Sequence, residues 1–178
     1  LSLVGSEMCI RDRYIAPTEG GPQLPDSNET SSGQPRSGKV AELEVGLIVD
    51  GRFEIKSLLG KGGMCTVYKA VQLKLDRPVA LKILHPNLVT NAASVERFKR
   101  EAVLASTLKH PNIVETYGFG VWQGRPFIAM EYLQGCSLAE VLKAERRLPR
   151  ERAIPLFAQV CDALSVAHDK GIIHRDLK

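Results

Sequence analysis

Apolar and polar positions change period along the chain, and each change marks an element. Residues 52–59, RFEIKSLL, and 66–75, TVYKAVQLKL, alternate apolar and polar side chains about a glycine-rich turn. A half-buried strand imposes that period of two, so the pair predicts a β-hairpin. RPVALKIL, 77–84, predicts a third strand. Over 94–109, SVERFKREAVLASTLK, the spacing becomes helical and places Val95, Phe98, Ala102, Ala105 and Leu108 on one stripe. HPNIV ends that helix, and YGFGVWQG and RPFIAMEY predict a second strand pair turning at Gly124. SLAEVLKAERR predicts a short helix with Ser137 as N-cap and Glu140 closing a capping box. ERAIPLFAQVCDALSVAHDK, 151–170, predicts a long helix with Ile154, Phe157, Ala158, Cys161, Leu164 and His168 on one face. Pro155 is best tolerated there if it falls in the first turn. No internal repeat is present.

Upstream the pattern is lost. In 16–38, Gly, Pro and Ser fill over half the positions and the apolar side chains are Ala16 and Leu24, too few to offset the entropy of ordering. Residues 14–45 are therefore expected to form a disordered leader. Residues 1–13, LSLVGSEMCIRDR, resemble a translated sequencing adapter and are set aside. The folded part is expected over 46–178.

Composition narrows the class. A chain of 178 residues, 44% apolar and 25% charged, can bury the core of one domain, or of a small domain plus part of another. The net charge of +4 is spread without a dense basic run, which argues against nucleic acid as a partner and leaves phosphate-bearing small ligands open. Cys9, Cys65, Cys136 and Cys161 lack CxxC spacing, so they are expected as reduced, buried thiols in a cytoplasmic setting. No apolar run reaches the roughly 18 to 20 residues of a membrane helix, and the first residues lack the features of a secretory signal.

Three features carry chemistry. LGKGGMCTVYKA, 59–70, sets Gly60, Gly62 and Gly63 between two strands, where a flat hairpin can offer backbone N–H groups to a polyphosphate; alone, it is equally an ordinary β-turn. Because the loop opens no helix, it lacks the helix N-terminus on which a Rossmann or Walker site seats phosphates, and a dinucleotide-binding oxidoreductase is disfavoured. Lys82 shares a strand face with Ala80 and Leu84, and Glu101 falls within the apolar stripe of the following helix. Either charge alone could snorkel to solvent. Two such charges explain each other if strand and helix pack and the pair forms.

LGKGGM, TVYKA, VALK, the helix glutamate, MEYL and the terminal HRDLK of residues 174–178 occur in the order and near the spacing of a eukaryotic-like (Hanks-type) Ser/Thr protein kinase, and the GGM wording resembles the bacterial branch. The resemblance covers roughly 50–178. It implies an α+β, protein-kinase-like fold: a five-stranded antiparallel N-lobe with one helix over about 50–133, then the first helices of an incomplete α-helical C-lobe over 134–178. It further implies transfer of the ATP γ-phosphoryl group to Ser or Thr hydroxyls of proteins, with ATP and Mg2+ as cofactors. By the same resemblance Gly60, Lys61, Gly62 and Gly63 cover the phosphates, and Lys82 holds the α- and β-phosphates while paired to Glu101. Leu59, Val67 and Ala80 sandwich the purine, Met130 stands as gatekeeper, and the backbone of Glu131 and Leu133 makes the hinge hydrogen bonds. Asp176 accepts the substrate proton, Lys178 sits near the γ-phosphate, and Arg175 pairs with an activating phosphate. His174 is implied to be structural, and His168 is expected to be a core histidine too.

Two departures matter. Cys65 stands where the pattern has its third glycine, and a side chain there is expected to crowd the loop. The metal-binding Asn and the Asp-Phe-Gly segment would lie beyond Lys178, so these residues alone are expected to be inactive and to expose helix surface; the alternative is a pseudokinase or nucleotide-binding scaffold.

Overall fold

The computed structural model describes residues 42–174. The readings made for 1–41, and those for Arg175, Asp176 and Lys178, lie outside those residues.

Six strands form one antiparallel sheet in the order β1-β2-β3-β4-β6-β5: β1 Ile48–Val49, β2 Phe53–Lys61, β3 Cys65–Gln72, β4 Arg77–Leu84, β5 Thr116–Trp122 and β6 Arg125–Glu131. Five were expected. The sixth is β1, which pairs Ile48 with Glu54 and Val49 with Phe53; two residues are too few to display alternation in the sequence.

Alternation sorts the strand residues onto two faces. The outer face buries Phe53, Ile55, Tyr68, Leu81, Ile83 and Phe127 in one cluster, against which Leu43 and Leu47 pack. Phe53 and Phe127 meet edge to face with ring centroids 5.8 Å apart. Gly120 on β5 is required by this packing, since a methyl group there would collide with the Phe127 ring. The inner face buries Cys65, Leu84 and Ile128 with Phe98 and Ala102 of helix α1, Ala92–Thr107. That helix starts two residues before the span read as helical, because the Asn91 side chain caps it by accepting from the Ser94 N–H at 3.0 Å. The β5–β6 turn places Gln123 and Gly124 at φ 48° and 73°, both in the left-handed region that a two-residue hairpin favours.

Helix α2, Leu138–Glu145, carries the expected capping box: the Glu140 N–H donates to Ser137 Oγ at 3.2 Å and the Ser137 N–H donates to Glu140 Oε2 at 2.6 Å. Helix α3, Arg150–Asp169, corrects two expectations. Pro155 lies beyond the first turn, where it leaves the Glu151 carbonyl without its usual helical donor. The packed face is also a different one. Leu156, Ala163 and Ala167 are buried, whereas Ile154 and Phe157 are 57% and 56% exposed and Ala158, Cys161 and His168 face solvent. The helix is apolar on two sides, and the side with alanines allows the closer approach to Leu108 and Ile113.

Polar links tie α3 to the segment after α1. His110 Nε2 lies 3.1 Å from Asp162 Oδ2, Asn112 Nδ2 donates to Gln159 Oε1 at 2.7 Å, and Lys170 Nζ donates to the Thr107 carbonyl. Of the cysteines expected to be buried, Cys65 is; Cys136 and Cys161 are exposed.

Candidate functional site

Residues directly opposite in an antiparallel ladder share a face. Val67 opposes Lys82, Lys82 opposes Ile128, and Ile128 opposes Phe119, so these four form one row across the inner face. The next row holds Lys69, Ala80 and Met130. Gly60 opposes Val67, which sets the glycine turn at the end of the first row. Register alone thus gathers a cation, a small apolar shelf and a glycine turn.

Lys82 Nζ donates to Glu101 Oε1 at 2.7 Å, with the two side chains 8% and 18% exposed. The pair that two misplaced charges implied is therefore formed. Strand β4 contributes the ammonium, and α1 contributes the carboxylate from the turn between its buried Phe98 and Ala102. Removing either partner would leave the other sheltered from solvent and uncompensated, the costly case for ion pairs.

The glycine turn is closed by the Gly62 N–H donating to the Cys65 carbonyl at 2.9 Å. Gly60, Gly62 and Gly63 do not have positive φ, and a Cβ at Gly60 or Gly63 would meet no other atom within 4 Å. Their use is the absence of a side chain, which leaves the backbone of the turn open to close approach. Lys61 pairs with Glu42, and Leu59 is 45% exposed beside it.

The Cys65 side chain does not crowd the turn. It is 6% exposed in the cluster with Leu84, Phe98, Ala102 and Ile128, because strand alternation turns it inward. Burial pushes its thiol up to about 11, against a smaller opposing effect of Lys82.

At the other edge Met130 packs on the inner cluster, and Glu131 ends β6 with its N–H donated to the Glu115 carbonyl at 2.8 Å. A bond from Glu131 to a ligand would thus come through its carbonyl. Leu133 follows, half-buried. His174 is buried.

Gly60, Gly62, Gly63, Val67, Ala80, Lys82, Glu101 and Met130 are thereby brought to one side of the sheet, with Leu59 and Lys61 on its rim and Glu131 and Leu133 at its edge. Two neighbours were not anticipated. Lys69 Nζ stands 4.6 Å from the Tyr132 ring centroid, bridging β3 to the segment after β6; it shares the face of Val67 two residues on, so alternation could have found it. His85, bonded to Thr66, lies past the end of β4 where no periodicity signals it. An ion-paired ammonium in a row that ends at a glycine turn, beside a small apolar shelf, suits a ligand that joins a polyphosphate to a planar ring.

The protein kinase domain family matches residues 53–178. Serine/threonine-protein kinase pkn2 of Myxococcus xanthus is 46% identical over 132 residues, which cover 74% of this chain and 16% of that protein. Serine/threonine-protein kinase PrkC of Bacillus subtilis is 40% identical over 134 residues, 75% of this chain and 21% of that protein. The crystal structure of the Mycobacterium tuberculosis PknI kinase domain superposes with a TM-score of 0.65 at 31% identity, covering 77% of this chain and 56% of that one. The chain spans well under a third of these curated relatives.

Proposed function

The chain belongs to the protein kinase family, with bacterial Hanks-type relatives, and on that premise we propose that it serves transfer of the ATP γ-phosphoryl group to Ser or Thr hydroxyls of proteins. The observation that carries the proposal is the Lys82–Glu101 pair, its lysine buried on the face of a sheet in the row that ends at a glycine turn. Phosphoryl transfer asks a protein for positioning and charge neutralisation, and these residues supply both.

In this reading Lys82 holds the α- and β-phosphates and Glu101 keeps its ammonium in place. The backbone of Gly60 to Gly63 covers the phosphates, with Lys61 on the rim. Leu59, Val67 and Ala80 enclose the purine, Met130 stands behind it, and Glu131 and Leu133 hydrogen-bond its edge. Asp176 takes the hydroxyl proton as the oxygen attacks phosphorus, Lys178 neutralises charge near the γ-phosphate, and Arg175 receives an activating phosphate.

The family uses a divalent metal with ATP, and magnesium is the ion proposed. Among the described residues no group of three or more His, Cys, Asp or Glu side chains could hold a metal ion, so these residues do not fit it. Among the same residues no helix is long and apolar enough to cross a membrane. A cytoplasmic setting is part of the proposal, because ATP is the phosphoryl donor.

The test uses a chain continued through the whole catalytic domain. Asp176→Asn should abolish phosphorylation of a basic protein substrate and leave ATP binding intact. Loss of both would assign Asp176 a structural role, while ATP binding without turnover in the unaltered protein would make it a nucleotide-binding scaffold.

A further inference from the structure

We propose that His85 is a positioning residue for the glycine turn, anchoring the turn's returning arm to the strand that carries Lys82; this rests on the nucleotide-binding reading above. The β3–β4 ladder ends at the pair Cys65 and Leu84, so beyond it no strand pairing holds the turn to β4. His85 is the next residue of β4's path and continues the attachment. Its N–H donates to the Met64 carbonyl at 2.9 Å, and its ring Nε2 lies 3.0 Å from Thr66 Oγ1. Met64 and Thr66, on either side of the first residue of β3, are therefore both held by one residue three positions after Lys82.

The chemistry suits a fixed strut. Thr66 is 2% exposed, so its hydroxyl needs an internal partner, and a neutral imidazole can both donate and accept. Burial chiefly disfavours a protonated ring, and Arg125, whose Nε donates to the Leu84 carbonyl at 3.0 Å, and Lys61 act in the same direction. The outgoing arm pairs with β3 up to Lys61 opposite Thr66, and its side-chain attachment is the exposed pair of Lys61 with Glu42, the kind of contact that stabilises little. With two glycines at 62 and 63 the turn has a large entropy to lose, and the His85 contacts restrict it on the side nearest Lys82. The height of the turn over Lys82 is what they set. That height concerns phosphates and leaves the purine shelf of Val67, Ala80 and Met130 untouched.

This separation gives the test. In His85→Ala, measured on the present chain, affinity for ATP should fall about five- to tenfold, as expected for the loss of one or two net hydrogen bonds, while affinity for adenosine stays unchanged. Amide hydrogen exchange over residues 62–66 should quicken, with that of α1 unaltered. Thr66→Val should shift ATP affinity in the same direction by less, and His85→Gln, whose amide reaches the position of Nε2, should restore part of the loss. Equal losses for ATP and adenosine would show a general structural role and overturn the proposal, as would unchanged ATP affinity. If the unaltered chain binds neither ligand, or Lys82→Met leaves ATP affinity intact, the nucleotide reading itself fails and takes this proposal with it.

Discussion

On the outer face of the sheet, Phe53, Leu81 and Phe127 bury rings and methyl groups against one another. One residue further along β4, the inner face places a lysine between Val67 and Ile128. Both faces come from the same strands, at the same depth, with the same backbone hydrogen bonds. They differ in what their burial accomplishes. The outer face gains stability from apolar area at little specificity, since shape and volume suffice there. The inner face accepts a charge whose desolvation must be offset by a partner 19 residues away on another element. Stability and chemistry are thus separated by side-chain phase rather than by domain.

That contrast can be broken from either side. Phe127→Ala, by emptying the outer cluster, should cost about 3–5 kcal/mol of unfolding free energy in urea titrations, while the folded fraction keeps its affinity for ATP. A comparable loss of affinity would show that the two faces are coupled. Lys82→Met should strike the inner face instead, lowering ATP affinity roughly 10- to 100-fold through a lost charged hydrogen bond and, by leaving Glu101 unpaired, costing up to about 3–5 kcal/mol of stability. Adding Glu101→Leu should recover stability without recovering binding; if the double variant is no more stable than the single one, the pair is not the source of the cost. The smallest effect concerns Cys65. Its folded pKa lies above that of the unfolded thiol, so its stabilising contribution is complete below pH 9.0 and lost as pH rises toward about 11. Stability should fall across that window, and Cys65→Ala should flatten the fall. In the same samples Cys136 and Cys161 should alkylate before Cys65.

Much of this arrangement was legible in the chain because period, charge and turn residues agreed locally. β4 occupies the span its alternation predicts, and Lys82 and Glu101 were each conspicuous as charges in apolar patterns. What escaped was set by tertiary choice. Both sides of α3 are apolar, and only the presence of Leu108 and Ile113 decides that Ala163 and Ala167 turn inward while Ile154 and Phe157 do not. Cys65 looked like an obstruction while it was counted as a loop residue; once β3 begins there, alternation points it at Phe98 and Ala102. β1 was too short for any periodic signal, and His85 acts through its position after a strand, which composition does not mark. The residues of the terminal motif beyond His174 rest on resemblance alone.

The turn between β3 and β4, residues 73–76, is exposed throughout, yet its length acts as a reading frame. One residue inserted there and absorbed by the ladder would advance β4 by a single step. Lys82 would then be driven into the outer core, and Leu81 and Ile83 would line the cleft. Two inserted residues would restore the phase. Variation in this hairpin is therefore constrained in its parity, a property of the count that no side chain in the turn records.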